Sequence, residues 1–411
     1  MPENKYNIFT TFLLHLHPKS LDRRSLIFTR TFGLGGISAL LFIILAISGV
    51  MIKFHYTPTS DAAYYSIIQL QSETQLGQFI RNVHFWSAQL LIVSTVLHLL
   101  RVFLSFSVYH ERKRNWYYGL ALLFLVISFN FTGYLLPWDQ LSFWAITLVT
   151  QIPSYIPYVG EGISFLLRSG TEVNDQTLLL YYNLHTTVFP AILIIVLSLH
   201  LYLVRKAKGV TYDQRKEKEI LKTYPNLVYR EAFVAILLLL FIFLLAFSFN
   251  APLLEAAQAL NSPDQITAPW YFGAFQVLLV YNHPLVVLIL IPLIIIVFGI
   301  YVVRYPLNNE KVGQWFYNEH GKSVVLSSTL FAIFINIILI LVNEYFLWNF
   351  TAGLWLNFIF FSLTTALFIF IIKRKYKMTF PLISLSLFAI FFASYLVLSL
   401  SNVFLIDFIM K

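Results

Sequence analysis

The sequence predicts an all-α, polytopic transmembrane helical bundle of about nine spans. Three observations carry that prediction. The 411 residues are 58% hydrophobic and only 11% charged, with a mean hydropathy of +0.74, whereas a soluble globular domain carries about 25% charge. Nine apolar runs are each long enough to cross a hydrocarbon core as a helix, at 32–54, 80–106, 116–136, 179–204, 231–250, 284–303, 324–347, 352–373 and 379–400. The basic residues between these runs fall on alternate sides in a strongly unequal way.

The first stretch, with Lys5, Lys19, Arg23, Arg24 and Arg30, is polar and mixed. It is too long and too charged for a secretory n-region, and no small-residue cleavage site follows the first apolar run. With the N-terminus cytoplasmic, the segments on its side of the membrane hold 24 of the 28 Lys and Arg. The opposite, outer face keeps Lys53, Arg81, Arg168 and Lys411. Topology therefore accounts for the net charge of +9, and no nucleic-acid partner is needed to explain it. Residues 137–178 and 251–283 form outer segments too long to be simple turns, and long ordered connections are more often functional than short ones. The basic segment 205–230 reads as a hinge between an N-terminal four-helix unit and a C-terminal five-helix unit. The chain divides accordingly into 1–210, 211–322 and 323–411, the last holding extra apolar helices. There is no cysteine. Disulfides, Cys-ligated zinc, iron–sulfur clusters held by this chain and thioether-linked haem are thereby excluded.

Four histidines lie inside apolar runs. His84 and His98 share the second, 14 residues apart, and His185 and His200 share the fourth, 15 apart. At about 100° per residue, 14 steps fall about 40° short of four full turns and 15 overshoot by about 60°, so each pair projects from one side of its helix. The rise of about 21 Å within a core of ~30 Å puts one imidazole near each membrane surface. A polar ring in lipid is costly and points to function. At matching heights His84 pairs with His185 and His98 with His200, and each pair can hold one haem iron from both sides. This makes the first four helices a dihaem bundle. Six-coordinate iron with two imidazoles has no open position, so such haems move electrons rather than bind oxygen. An electron moving between them works with or against the membrane potential, about 2.3 kcal/mol per charge per 100 mV.

Glycine placement repeats the spacing. Gly35 and Gly49 on the first span are 14 apart, as are Gly119 and Gly133 on the third. Glycine permits close approach to a backbone, and a flat macrocycle passing a neighbouring helix needs that clearance. Arg81 lies three residues before His84 and Arg101 three after His98. Both are placed for bidentate pairing with haem propionates.

These residues resemble cytochrome b of the cytochrome bc family, closely over about 30–210 and more weakly over about 225–305. FTGYLLPWDQ at 131–140, followed by SFWAIT and IPYVG, resembles that family's loop beside the quinol-oxidation pocket. The resemblance implies that Gly133, Tyr134, Pro137 and Trp138 line that pocket, with Trp270 and Tyr271 from a later loop. It implies two non-covalent haems b: a low-potential one on His84 and His185, and a high-potential one on His98 and His200. Arg205 and Lys206 resemble a basic pair near an inner quinone site. Implied partners are quinone, lipid, a Rieske-type iron–sulfur protein, a c-type cytochrome and a second copy of the chain, in a bacterial inner membrane. The 15-residue histidine spacing and PWDQ resemble the chloroplast and cyanobacterial branch. There a Cys before the first-helix glycines attaches a third haem; Gly33 stands at that place here, so no covalent haem is expected.

The family's Pro-Glu-Trp-Tyr motif becomes Ala268-Pro269-Trp270-Tyr271. Pro269 cannot accept the quinol proton that a carboxylate accepts. Asp139, Asp264 and Tyr271 are the candidate residues for chemistry at this outer site, with His283 and a partner group as further substitutes. Three functions follow for comparison. One is a dihaem subunit of a quinol:cytochrome c oxidoreductase-type complex. The second is a non-bifurcating b-haem subunit linking quinone to another redox module. The third is a haem-free scaffold or transporter.

Overall fold

The computed structural model describes residues 19–207, 219–263, 266–307, 312–344 and 353–409. The elements are α1 Leu34–Lys53, α2 Ala63–Glu73, α3 Gly77–Leu104, α4 Lys113–Leu135, α5 Gln140–Gln151, α6 Gly160–Arg168, α7 Asp175–Lys206, α8 Thr223–Ser248, α9 Gly273–Tyr281, α10 Val286–Arg304, α11 Glu319–Val342, α12 Gly353–Tyr376 and α13 Phe380–Ile409. Among the described residues, nine helices are long and apolar enough to cross a membrane: α1, α3, α4, α7, α8 and α10 to α13. The transmembrane helical bundle expected from composition is therefore present. A helix satisfies its own backbone within the segment, which is why apolar length alone reveals it.

The connecting segments carry more structure than apolar length predicts. The 137–178 segment folds into α5 and α6, and α2 fills the connection after α1. Asp139 starts α5 by accepting the Ser142 N–H at 2.9 Å. Asn318 starts α11 in the same way, accepting from His320 and Gly321. Strand β1 (Ser20–Asp22) pairs antiparallel with β2 (Ile220–Lys222), tying the N-terminal segment to the basic segment read as a hinge.

The described chain falls into two units interleaved in sequence. Of the described residues, the first holds 19–137, 181–207, 219–253, 306–307 and 312–314, and the second 138–180, 254–263, 266–305, 315–344 and 353–409. Helix α8 packs on α3 and α1 within the first unit. Asn82 fastens it there, donating to the Ala246 carbonyl at 2.8 Å and accepting the Ala251 N–H at 2.8 Å. In the first unit α1 packs along α3, and α4 along α7.

In the second unit the C-terminal helices close around α9. Helix α13 packs on both α9 and α11. Tyr395 donates to the Tyr271 carbonyl at 2.6 Å, and Asn357 donates to the Tyr281 carbonyl at 2.6 Å. Two polar pairs set the register of α11 against α13: Ser328 with Ser386 at 2.6 Å, and Asn336 with Ser394 at 2.8 Å. Lipid gives no hydrophobic drive between helices, so such bonds help to fix the interface. Asn336→Leu is expected to weaken unfolding resistance in detergent by about 1 kcal/mol. An unchanged unfolding midpoint contradicts that role.

Candidate functional site

Histidines and glycines meet one to one in the first unit. A Cβ built on Gly133 would lie 2.6 Å from Cε1 of His185, and one on Gly49 would lie 3.1 Å from Cε1 of His84. On Gly35 it would lie 3.3 Å from Cε1 of His98, and on Gly119 3.6 Å from Cε1 of His200. Thus α1 backs both histidines of α3, and α4 backs both of α7. Within the protein, the group nearest each of the four is an imidazole edge.

One pair of rings also faces across the bundle. The His84 and His185 ring centroids are 6.3 Å apart, with ring planes at 65°. A first-row metal bound to an imidazole nitrogen at about 2.0 Å lies about 3.1 Å from the ring centroid, so a shared metal needs centroids about 6.2 Å apart. His98 and His200 are close enough to interact electrostatically, and Arg101 interacts with His98. Two nitrogens do not complete a coordination shell, and among the described residues no group of three or more His, Asp or Glu gathers to hold a metal. The arrangement fits a metal that brings its own planar ligand.

The 15-residue spacing in α7 has a local explanation. Leu184–Val188 forms a π-turn, and the Phe189 N–H bonds the Leu184 carbonyl five residues back. A π-turn absorbs one extra residue, so His185 and His200 are presented much as a 14-residue spacing presents His84 and His98. Pro190, just beyond the turn, lacks the N–H that an α-turn uses and clashes with the carbonyl four residues back. Val286–Leu290 before Pro292 repeats the pattern in α10.

Hydrogen bonds fix the ring orientations at one level. His185 Nδ1 lies 3.1 Å from the Phe129 carbonyl and 3.2 Å from Thr132 Oγ1. A carbonyl only accepts, so Nδ1 carries the proton and Nε2 keeps the lone pair a metal uses. His84 Nδ1 lies 3.0 Å from Ser48 Oγ. At the other level, His200 Nδ1 approaches the Asn115 backbone but has no partner in hydrogen-bond geometry. Sequence reasoning missed Ser48 and Thr132, although each immediately precedes a spaced glycine.

A family profile described as Cytochrome b/b6/petB matches residues 21–208. The cytochrome b6 of Acaryochloris marina (strain MBIC 11017) is 39% identical over 173 residues, covering 42% of this chain and 80% of the relative. The chain belongs to the cytochrome b family. Cytochrome b6 of Mastigocladus laminosus is also 39% identical over 173 residues, covering 42% of this chain and 80% of that protein. That of Gloeobacter violaceus (strain ATCC 29082 / PCC 7421) is 37% identical over 173 residues, covering 42% and 80%. A solved structure described as hyperthermophilic respiratory Complex III aligns with a TM-score of 0.67 at 21% identity, covering 89% of this chain and 92% of that one. The shared fold thus extends past the profile match into the C-terminal half. As a cytochrome b, the chain is a haem-binding, multi-pass membrane protein of electron transport.

The remaining candidate residues divide between the units. In the first, Gly133 backs His185, Tyr134 is half-buried and Pro137 ends the segment. Tyr56 donates to the Leu136 carbonyl at 2.7 Å and stacks on Tyr182 at 5.6 Å. Burial, and secondarily Tyr182, hold its hydroxyl above the ordinary tyrosine range. Arg81, expected to reach a haem carboxylate, is buried and turned onto the carbonyls of Ala251 and Pro252 at 2.8 and 2.6 Å. It ties down the segment that follows α8. Arg205 and Lys206 are exposed in the last turn of α7, where cations oppose the helix dipole.

In the second unit, Trp138 is buried against Phe143 and its carbonyl accepts from Ala257. Asp139, a proposed proton acceptor, has both carboxylate oxygens on backbone donors. Oδ1 caps Ser142, and Oδ2 accepts the Leu254 N–H at 3.2 Å. Both bonds give it a structural task at the start of α5. Asp264 lies outside the described residues. Trp270 is exposed and Tyr271 buried. Gln276 pins the altered motif, accepting the Ala268 N–H at 2.7 Å and donating to the Ile266 carbonyl at 2.8 Å. His283 stacks on Trp355 at 4.8 Å. Tyr281 donates to Glu344, and burial, followed by that bond, raises its hydroxyl above the ordinary range.

Proposed function

We propose that this cytochrome b is a dihaem subunit that carries electrons across the membrane within a complex of the quinol:cytochrome c oxidoreductase type. The observation that carries the reading is the one-to-one backing of His84, His98, His185 and His200 by glycines at a common spacing. His84 and His185 bind one haem b, and His98 and His200 the other. Each haem, when bound, supplies a one-electron iron couple. The chain's residues hold it: the imidazoles present Nε2, Phe129 and the hydroxyls keep the proton on Nδ1, and the glycines let the rings sit close to the backbone. Arg101, beside His98, is the guanidinium proposed to meet a propionate.

The N-terminus is proposed to face the cytoplasm, in a bacterial inner membrane, on the asymmetry of basic residues. Quinone exchange is assigned to an outer site with Tyr134 and Pro137 of the first unit, and to an inner site with Arg205 and Lys206. A Rieske-type iron–sulfur protein, a c-type cytochrome and a second copy of the chain are the proposed partners. The likeness in fold to a respiratory Complex III chain supports an assembly of this kind.

One observation favours a second reading. Pro269 removes the motif carboxylate, and Asp139 is committed to backbone donors. A b subunit that links quinone to another redox module without splitting the two electrons needs no proton acceptor at that place. The experiment is quinol addition to the purified complex, followed by an oxidant pulse with the inner site inhibited. Transient reduction of the b haems is the result expected for the bc-type complex. Haems that only become oxidised overturn it in favour of the second reading.

A further inference from the structure

The residues preceding the four spaced glycines differ between the two levels. At the His84/His185 level they are Ser48 and Thr132; at the His98/His200 level they are Leu34 and Tyr118. Each lies 14 residues from its counterpart on the same helix, so the backbone offers equivalent positions and only the side chains differ.

The two hydroxyls are already donors. Ser48 Oγ gives its single hydrogen to the Ile44 carbonyl at 2.7 Å, and Thr132 Oγ1 gives its own to the Ser128 carbonyl at 2.9 Å. Toward His84 Nδ1 at 3.0 Å and His185 Nδ1 at 3.2 Å each oxygen therefore accepts. Among the described residues, no side-chain hydroxyl bonds His98 or His200, and His200 Nδ1 has no partner in hydrogen-bond geometry. An acceptor on Nδ1–H moves electron density toward Nε2, making the ring a stronger donor to iron. A stronger donor stabilises the ferric state over the ferrous and lowers the reduction potential.

We infer that Ser48 and Thr132 are positioning residues that orient the His84 and His185 imidazoles and lower the potential of the haem between them. The potential difference this creates drives an electron from that haem toward the one on His98 and His200. The inference rests on the dihaem reading.

The test is an optical redox titration of the intact complex, wild type against Ser48→Ala, Thr132→Val and the double variant. Ser48→Thr and Thr132→Ser keep a hydroxyl and serve as controls. The haem of interest is identified as the one that His98→Leu retains. In the double variant its midpoint should rise, reducing the equilibrium constant for electron transfer to the other haem about tenfold, which is about 59 mV for one electron. The other midpoint and both control variants should match wild type. Loss of this haem from the hydroxyl-free variants alone, with the controls intact, supports the same assignment. Unchanged midpoints with both haems bound, or equal shifts of both haems, overturn it. A wild-type complex without two b haems instead overturns the dihaem reading.

Discussion

Gly133→Ala is expected to remove the haem proposed for His84 and His185 and to leave the other proposed haem in place, while Gly119→Ala should keep both. The two substitutions are chemically identical and differ only in what the new methyl meets. At Gly133 it would come 2.6 Å from Cε1, 3.0 Å from Nδ1 and 3.2 Å from Nε2 of His185, a contact with the whole near edge of the ring. The ring cannot swing away at little cost. Phe129 and Thr132 hold its Nδ1, and the Phe129 ring packs edge-on with centroids 5.5 Å apart. Overpacking of a fixed group typically costs about 1–3 kcal/mol, and here the displaced atoms are those that must reach iron. At Gly119 the nearest atom of His200 is 3.6 Å away, an ordinary contact. Gly49→Ala and Gly35→Ala fall between, at 3.1 and 3.3 Å from their histidines. Haem content of each variant, measured per chain, should follow that order. Equal loss at Gly119 and Gly133 contradicts the glycine–imidazole account.

The second large effect comes from the ligands themselves. His98→Leu should abolish only the haem shared with His200, and His185→Leu only the one shared with His84. Each change halves the haem per chain and removes one of two redox transitions. The reason is the proposed pairing between helices: the His84 ring of α3 faces the His185 ring of α7, and His98 is proposed to meet His200 about 21 Å along the helix. Redox titration of His98→Leu reads this directly. Retention of both transitions, or loss of both with the protein still folded, contradicts the pairing.

Much of this architecture is legible before any coordinates. A chain that must satisfy its backbone inside lipid has few options, so length and apolarity locate α1, α3, α4, α7, α8 and α10 to α13, although α8 begins at Thr223 and α13 ends at Ile409, well outside their apolar runs. Periodicity does the same for the histidines, because 14 steps return nearly to one helix face. What periodicity does not contain is the partner of each group. The glycines carry the right spacing, yet only tertiary structure shows that imidazole edges occupy the space they leave. Arg81 has the right place for a propionate, but its guanidinium serves the Ala251 and Pro252 carbonyls, 170 and 171 positions away in sequence. Asp139 reads as an acid in a functional loop, although an Asp three residues before Ser142 is also a helix-cap pattern. The signal for the π-turn was present in Pro190, which explains why a 15-residue spacing serves as well as 14. The grip of α13 on α9 was not legible at all, since it depends on lone polar groups such as Tyr395 and Asn357 in otherwise apolar helices.

The central claim is that α3 and α7 together clamp two haems by paired imidazoles. The most direct measurement is haem b per chain in the purified protein, by pyridine haemochrome assay, with low-temperature electron paramagnetic resonance of the oxidised state to report ligation. Two low-spin, bis-histidine haems per chain are the predicted result. A protein with no bound haem, or with a single haem whose ligation survives replacement of His84 and His98 together, would contradict it.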